Sequence, residues 1–215
     1  MQIIKTNKPD KALAENWLNF ISVNKYFIIL LFCLISGMLC GAIMVNRFSG
    51  DNAVLVNEWF NSFVSNRTQS GLLTIFFKTF LGCFIYIVII CISAFGLGGI
   101  PVCPILLFFR GFGTCMLSGL LYRNYSLQGI AFANLILLPS CVAIDFILVY
   151  FCSKGMKLSV NFSLVFRGSV VNAEALRLDS LVLLKRCVIC VLLSVIAALF
   201  EAIFTVCFSG YFKLM

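Results

Sequence analysis

Histidine is absent from this 215-residue sequence, and acidic side chains number only eight against sixteen lysines and arginines. Without histidine the chain lacks the commonest metal ligand and the one side chain that titrates near neutrality unperturbed. No base except lysine is left to activate a serine. GxSxG, HExxH, P-loop and glycine-rich nucleotide patterns are all missing, so no familiar catalytic constellation is present. Charged residues make up 11% of the chain, against about 25% in an ordinary globular domain. That is too little polar surface to coat a soluble particle.

What is present is apolar. The chain is 62% hydrophobic, with a mean hydropathy of +1.08. Long apolar runs imply membrane helices, each needing about 20 residues to cross. The expected fold is therefore all-α: one polytopic membrane domain over residues 1–215, with about five transmembrane helices and interfacial amphipathic helices. The net charge of +8 does not imply nucleic acid here, because membrane proteins gather Lys and Arg in cytoplasmic loops. All eleven cysteines fall in or beside apolar runs, where cysteine acts as a small hydrophobe. Cys187 and Cys190 form a CxxC at the start of a span, with no second pair. No metal or cofactor is expected.

Taken in order, residues 1–25 form a cytoplasmic segment in which Trp17, Phe20 and Ile21 have the spacing of a short interfacial helix. The first span covers 26–45 and holds a GxxxG, Gly37 to Gly41. Such a notch lets another helix approach closely, either within the chain or in a homo-oligomer. Residues 46–70 are polar enough to form an outer loop. Leu55, Trp59, Phe60 and Phe63 share one helical face there, as an interfacial anchor in membrane lipid or as a surface for an extracellular partner. Further spans are expected at 72–94, 105–121, 128–152 and 187–208. A turn at 95–104, a short loop at 122–126 and a cytoplasmic loop at 153–186 with one or two surface helices would join them.

With the N-terminus inside, the cytoplasmic segments hold ten Lys and Arg and the outer ones four, as the positive-inside rule requires. Four ionisable residues lie within spans: Lys78, Arg110, Asp145 and Glu201. At about 1.5 Å per residue, Lys78 and Glu201 lie at matching depths from the outer surface. Arg110 lies near the midplane, within reach of Asp145 on the next span. These charges fix helix register as ion pairs, or they line a polar pathway. Asp145 and Glu201 lie at different depths, which argues against an aspartyl protease.

The stretch at 95–121 is apolar yet carries six glycines, two prolines and one arginine. Gly111, Gly113 and Gly119 are expected to let neighbouring helices pack closely. Two stretches resemble the stage II sporulation protein M family. One is GMLCGAIMVN at 37–46. The other is FGLGGIP at 95–101, followed by Phe109-Arg110-Gly111 and by Leu137-Leu138-Pro139. The resemblance implies a bacterial membrane protein acting in forespore engulfment, a non-enzymatic scaffold that recruits peptidoglycan-degrading partners. Its spans would pack without a water-filled cavity. The alternative is a permease subunit with a polar cavity around Arg110 and Asp145. Five crossings send the C-terminus outside, so a reporter fused after Met215 should be reached by an impermeant reagent from outside. Labelling only after lysis would mean that 95–121 re-enters and the crossings number four.

Overall fold

The computed structural model describes residues 24–47, 56, 58, 60–62, 70–167 and 173–209. Among the described residues five long helices follow one another: α1 (Lys25–Arg47), α2 (Leu72–Ala94), α3 (Gly99–Phe132), α4 (Leu138–Phe166) and α5 (Ala173–Ser209), with a π-helical turn, Ala133–Leu137, between α3 and α4; residues 56, 58 and 60–62 are also helical. No strand occurs among the described residues. α1, α2, Gly99–Tyr125 and Leu176–Phe208 are each long and apolar enough to cross a membrane, and the bent pair Leu127–Leu135 and Leu138–Phe166 passes the same test together, which gives four crossings, or five where that pair is one span. Large apolar side chains point outward along them, with Phe32 71% and Ile92 70% exposed. Such surface suits lipid and not water. This is a multi-pass helical membrane protein.

α3 is the element the others pack against. It follows α2 after a turn of only four residues, 95–98, shorter than the ten expected. Pro101 falls in the first helical turn, where a missing N–H costs nothing. Pro104 lies inside the helix. Ser159 on α4 donates its hydroxyl to the Gly96 carbonyl at 2.5 Å. A Cβ on Gly99 would lie 2.8 Å from that of Ser159. The turn is thus pressed directly against α4.

The expected loop at 122–126 is not there as a loop. Helical hydrogen bonding continues, yet the chain reverses. The Tyr122 hydroxyl donates to Asn134 Oδ1 at 3.2 Å, although twelve residues of straight helix would separate them by about 18 Å. A Cβ on Gly129 would collide with the backbone of Leu121. The reversal lies near residue 126 and makes α3 and α4 an antiparallel hairpin. The bundle therefore has a Tyr125 end and a Phe95 end.

α1 lies parallel to α3, and their contact is the most extensive in the bundle. The expected packing glycines carry it. A Cβ on Gly37 would lie 2.9 Å from the Phe108 carbonyl carbon, and one on Gly41 2.5 Å from the Phe112 oxygen. Gly111 presses in return on the backbone of Leu34, and Gly119 meets Val45. The GxxxG is therefore occupied within the chain. In lipid, where hydrophobic pressure between helices is lost, such backbone approach supplies dispersion contact instead. Arg123 closes the contact by donating Nη1 to the Val45 carbonyl at 3.1 Å, near the end of α1 where carbonyls lack helical partners.

The region expected as a cytoplasmic loop at 153–186 is largely helix. α4 runs on to Phe166 and α5 begins at Ala173, so the basic residues continue the spans instead of forming separate surface helices. Two cores result. The larger, toward the Phe95 end, includes Leu34, Ile87, Leu107, Ile144, Leu148 and Phe151. The smaller, at the Tyr125 end, includes Val45, Phe60, Leu120, Leu121 and Phe132. Phe60 is fully buried there, 6.2 Å from the Tyr125 ring. It is a core residue and not part of a free partner surface. Leu55, Trp59 and Phe63 lie outside the described residues, as do the expected N-terminal helix and the tail beyond Ser209.

Glycine contacts of this kind have a direct test. Gly37→Ala forces a methyl into a backbone carbonyl and should destabilise the bundle by about 1–3 kcal/mol. Gly82 has nothing within 4 Å of a would-be Cβ, so Gly82→Ala should be neutral or gain up to about 1 kcal/mol of helix propensity. Unfolding of both variants in detergent micelles would check the contrast.

Candidate functional site: a charged cleft between two cores

α2 and α3 touch little despite the short turn that joins them. α2 leans on α4 and α5, while α3 leans on α1 and α4. Between them lies a cavity of about 570 Å³. Helical spacing builds each wall. On α2 the lining residues are Ile75, Lys78, Thr79, Gly82 and Cys83; on α3 they are Arg110, Gly113, Thr114 and Leu117. Each set recurs once per helical turn, at 75, 78 and 79, 82 and 83 on α2 and at 110, 113 and 114, 117 on α3, which keeps it on one helical face. Leu137, Cys141 and Ile144 form the floor, with Glu201 from α5 and Ser62 at the edge.

The glycines keep this space open. Neither Gly82 nor Gly113 has an atom within 4 Å of a would-be Cβ. Gly113 was expected to pack against a neighbouring helix. It instead thins the wall of the cleft, because its side of α3 faces away from α1. Gly82, Gly113 and Lys78 are all exposed, so the cleft opens to one side of the bundle.

Three of the four intramembrane charges line it: Lys78, Arg110 and Glu201. Arg110 Nε donates to Asp145 Oδ1 at 2.9 Å. The hairpin accounts for this meeting, since the two residues lie at nearly equal distances along the chain from the reversal. The guanidinium also sits 5.8 Å from the centre of the Tyr86 ring, within cation–π range. The second Asp145 oxygen, Oδ2, is buried and has no hydrogen-bond partner among the described residues. Asp145 therefore depends on Arg110. Lys78 and Glu201, expected as a pair, face the same cavity, and no ion pair joins these two described residues. Glu201 is 2% exposed, whereas Lys78 is exposed. Spacing along the chain suggested equal depth but could not reveal the gap between them.

Cations and a carboxylate around an open space could hold an anionic or zwitterionic group. Thr114 has its hydroxyl turned back to the Arg110 carbonyl at 2.9 Å. Among the described residues no three Cys, Asp or Glu side chains gather as a metal site. All eleven cysteines are free.

The family model described as Stage II sporulation protein M matches residues 28–206. The chain belongs to the stage II sporulation protein M family. The match runs through all five helices and takes in every cleft residue from Ser62 to Glu201. No curated protein and no solved structure matches the chain. For this sporulation protein M chain the cleft was the feature hardest to anticipate. Its charges were evident along the sequence. The splay of α2 from α3 was not, because it depends on which neighbours each helix prefers.

The Arg110–Asp145 side chains are 21% and 5% exposed. Removing one partner of such a buried pair typically costs about 3–5 kcal/mol. Arg110→Gln should be the worse variant, since it strands a buried carboxylate. Asp145→Asn leaves an arginine that borders the cavity and can draw water from it. Replacing both with leucine should restore much of the loss, as unfolding in micelles would show.

Proposed function

We propose that this member of the sporulation protein M family is a non-enzymatic scaffold of the bacterial cell membrane, recruiting peptidoglycan-degrading partners during forespore engulfment. The observation that carries this reading is the closure of the charged cleft toward both ends. The larger core fills the bundle from Ile144 and Leu107 toward the Phe95 turn, and the smaller core fills the Tyr125 end. Family membership supports the same role.

The Phe95 end is the cytoplasmic one in this proposal. Lys25, Lys154, Lys157, Arg167, Arg177, Lys185 and Arg186 lie toward it, against Arg47 and Arg123 toward the other end, and that imbalance follows the positive-inside rule. The N-terminus is then cytoplasmic and the C-terminus outside. The segment at 46–70 supplies the partner surface, anchored to the bundle by the burial of Phe60 and the packing of Val56. With Gly37 and Gly41 engaged inside the chain, any homo-oligomer uses another face.

A second reading, a permease subunit, draws on Lys78, Arg110 and Glu201 around one cavity. The cleft departs from the cavity-free packing expected of a scaffold and is the kind of polar cavity beside Arg110 that a permease was expected to have. Half-helix breaks and polar cavities at mid-membrane are features of transport sites. The two diverge under crosslinking in sporulating cells. A photoreactive residue at Ser62 should capture a cell-wall hydrolase, and one at Arg167 should not capture an ATPase. Capture of an ATPase at Arg167 with no hydrolase at Ser62 would favour the permease.

A further inference from the structure

A second recess lies far from the cleft, where α4 and α5 run side by side at the Phe95 end. Asn161 Nδ2 donates to Asp179 Oδ2 at 3.2 Å, which sets their register. One to two turns closer to the bundle centre, Lys154, Lys157 and Arg186 surround a groove of about 140 Å³. That is room for a group several times larger than one water, whose share of the liquid is about 30 Å³. Three cations share the groove with one carboxylate, Asp179, which is already engaged by Asn161. Like charges held this close call for an anion.

The depth of the groove indicates where that anion comes from. Gly155 lies against Ala94 and Ile90, and Ser159 bonds to Gly96. The groove is therefore level with the point where α2, an apolar helix long enough to cross the membrane, ends and the chain turns. Apolar ladders lead from it toward the bundle centre on both helices. Phe146 and Tyr150 precede Lys154 on one face of α4, and Ile189 and Leu193 follow Arg186 on α5; all four are exposed. The Lys154 ammonium sits 5.6 Å from the Tyr150 ring, drawn toward that apolar side. Cations at that level with exposed hydrocarbon surface beside them match a phosphate carrying acyl chains. Basic pockets between transmembrane helices bind such headgroups.

We propose that Lys154, Lys157 and Arg186 form a binding site for the phosphate of an anionic phospholipid in the leaflet at the Phe95 end. The site is separate from the cleft and independent of the scaffold role. The lipid headgroup neutralises three clustered cations, and its chains lie along the two ladders. Occupancy holds α4 to α5 beyond the point where α2 stops supporting them.

The full chain, purified in an uncharged detergent, is presented with phosphatidylglycerol or phosphatidylcholine of matched chains, and retained lipid is measured by native mass spectrometry. Phosphatidylglycerol should be held selectively. Lys157→Gln and Arg186→Gln should each weaken its retention about fivefold. Lys185→Gln, at the same depth but outside the groove, should not. Lys157 is exposed, so its variant keeps the fold, and circular dichroism verifies this. Equal retention of both lipids, or unchanged retention in Lys157→Gln, would overturn the proposal. Displacement of the lipid by equimolar inorganic phosphate would also overturn it, in favour of a free-phosphate site.

Discussion

Asp145 brings one buried carboxylate oxygen to Arg110 and leaves the other without a partner among the described residues. A charge in that position constrains everything near it. The cation must stay on α3, the carboxylate on α4, and the hairpin between them must hold both at one depth. Because Arg110 is turned toward α4, the α3 face beside it is available to line the cleft. Immediately beneath, Leu107, Ile144 and Leu148 close the larger core. The polar and the filled parts of the bundle meet at this pair. A buried pair of this kind contributes little to stability compared with an apolar replacement. Its value here is that it admits only one relative placement of two helices.

The second constraint is backbone approach. Gly37, Gly41 and Gly111 interlock along α1 and α3. These positions were legible in the sequence, because in a lipid-facing helix a small residue repeated every four positions has few uses other than close packing. The limits of α2 were legible for a simpler reason. An apolar run bounded by polar residues has nowhere to lie except across the membrane, and residues 72–94 form that helix in the structure. The stretches that resemble the sporulation protein M family, 37–46, 95–101 and 137–139, all lie within the residues its model matches.

Other features could not be reached from the chain alone. Tyr122, Arg123 and Asn124 look like loop residues, yet the reversal at that point keeps helical hydrogen bonds and uses Gly129 for a close crossing. Basic residues at 153–186 look like a surface segment, but α4 and α5 extend there because they have each other as partners. Gly113 shows the same limit at one residue. A glycine in a membrane helix either admits a neighbour or leaves a space, and its own sequence context does not say which. Phe60 had the spacing of an outward aromatic, and only the position of Leu120, Leu121 and Phe132 turned it inward.

The π-helical turn before α4 bears on how the chain can change. Pro139 cannot donate to the carbonyl four residues back, and the helix accommodates this by widening one turn earlier, where the Leu138 N–H reaches the Ala133 carbonyl. Widening adds a residue without adding a turn. Each residue rotates a helix by about 100°, so this wide turn acts as a phase offset for all of α4 beyond it. The azimuth of Asp145 toward Arg110, and of Lys154 toward Arg186, is defined relative to that offset. A relative that lost the proline and tightened this turn would carry the same side chains in the same order and still aim them at different neighbours.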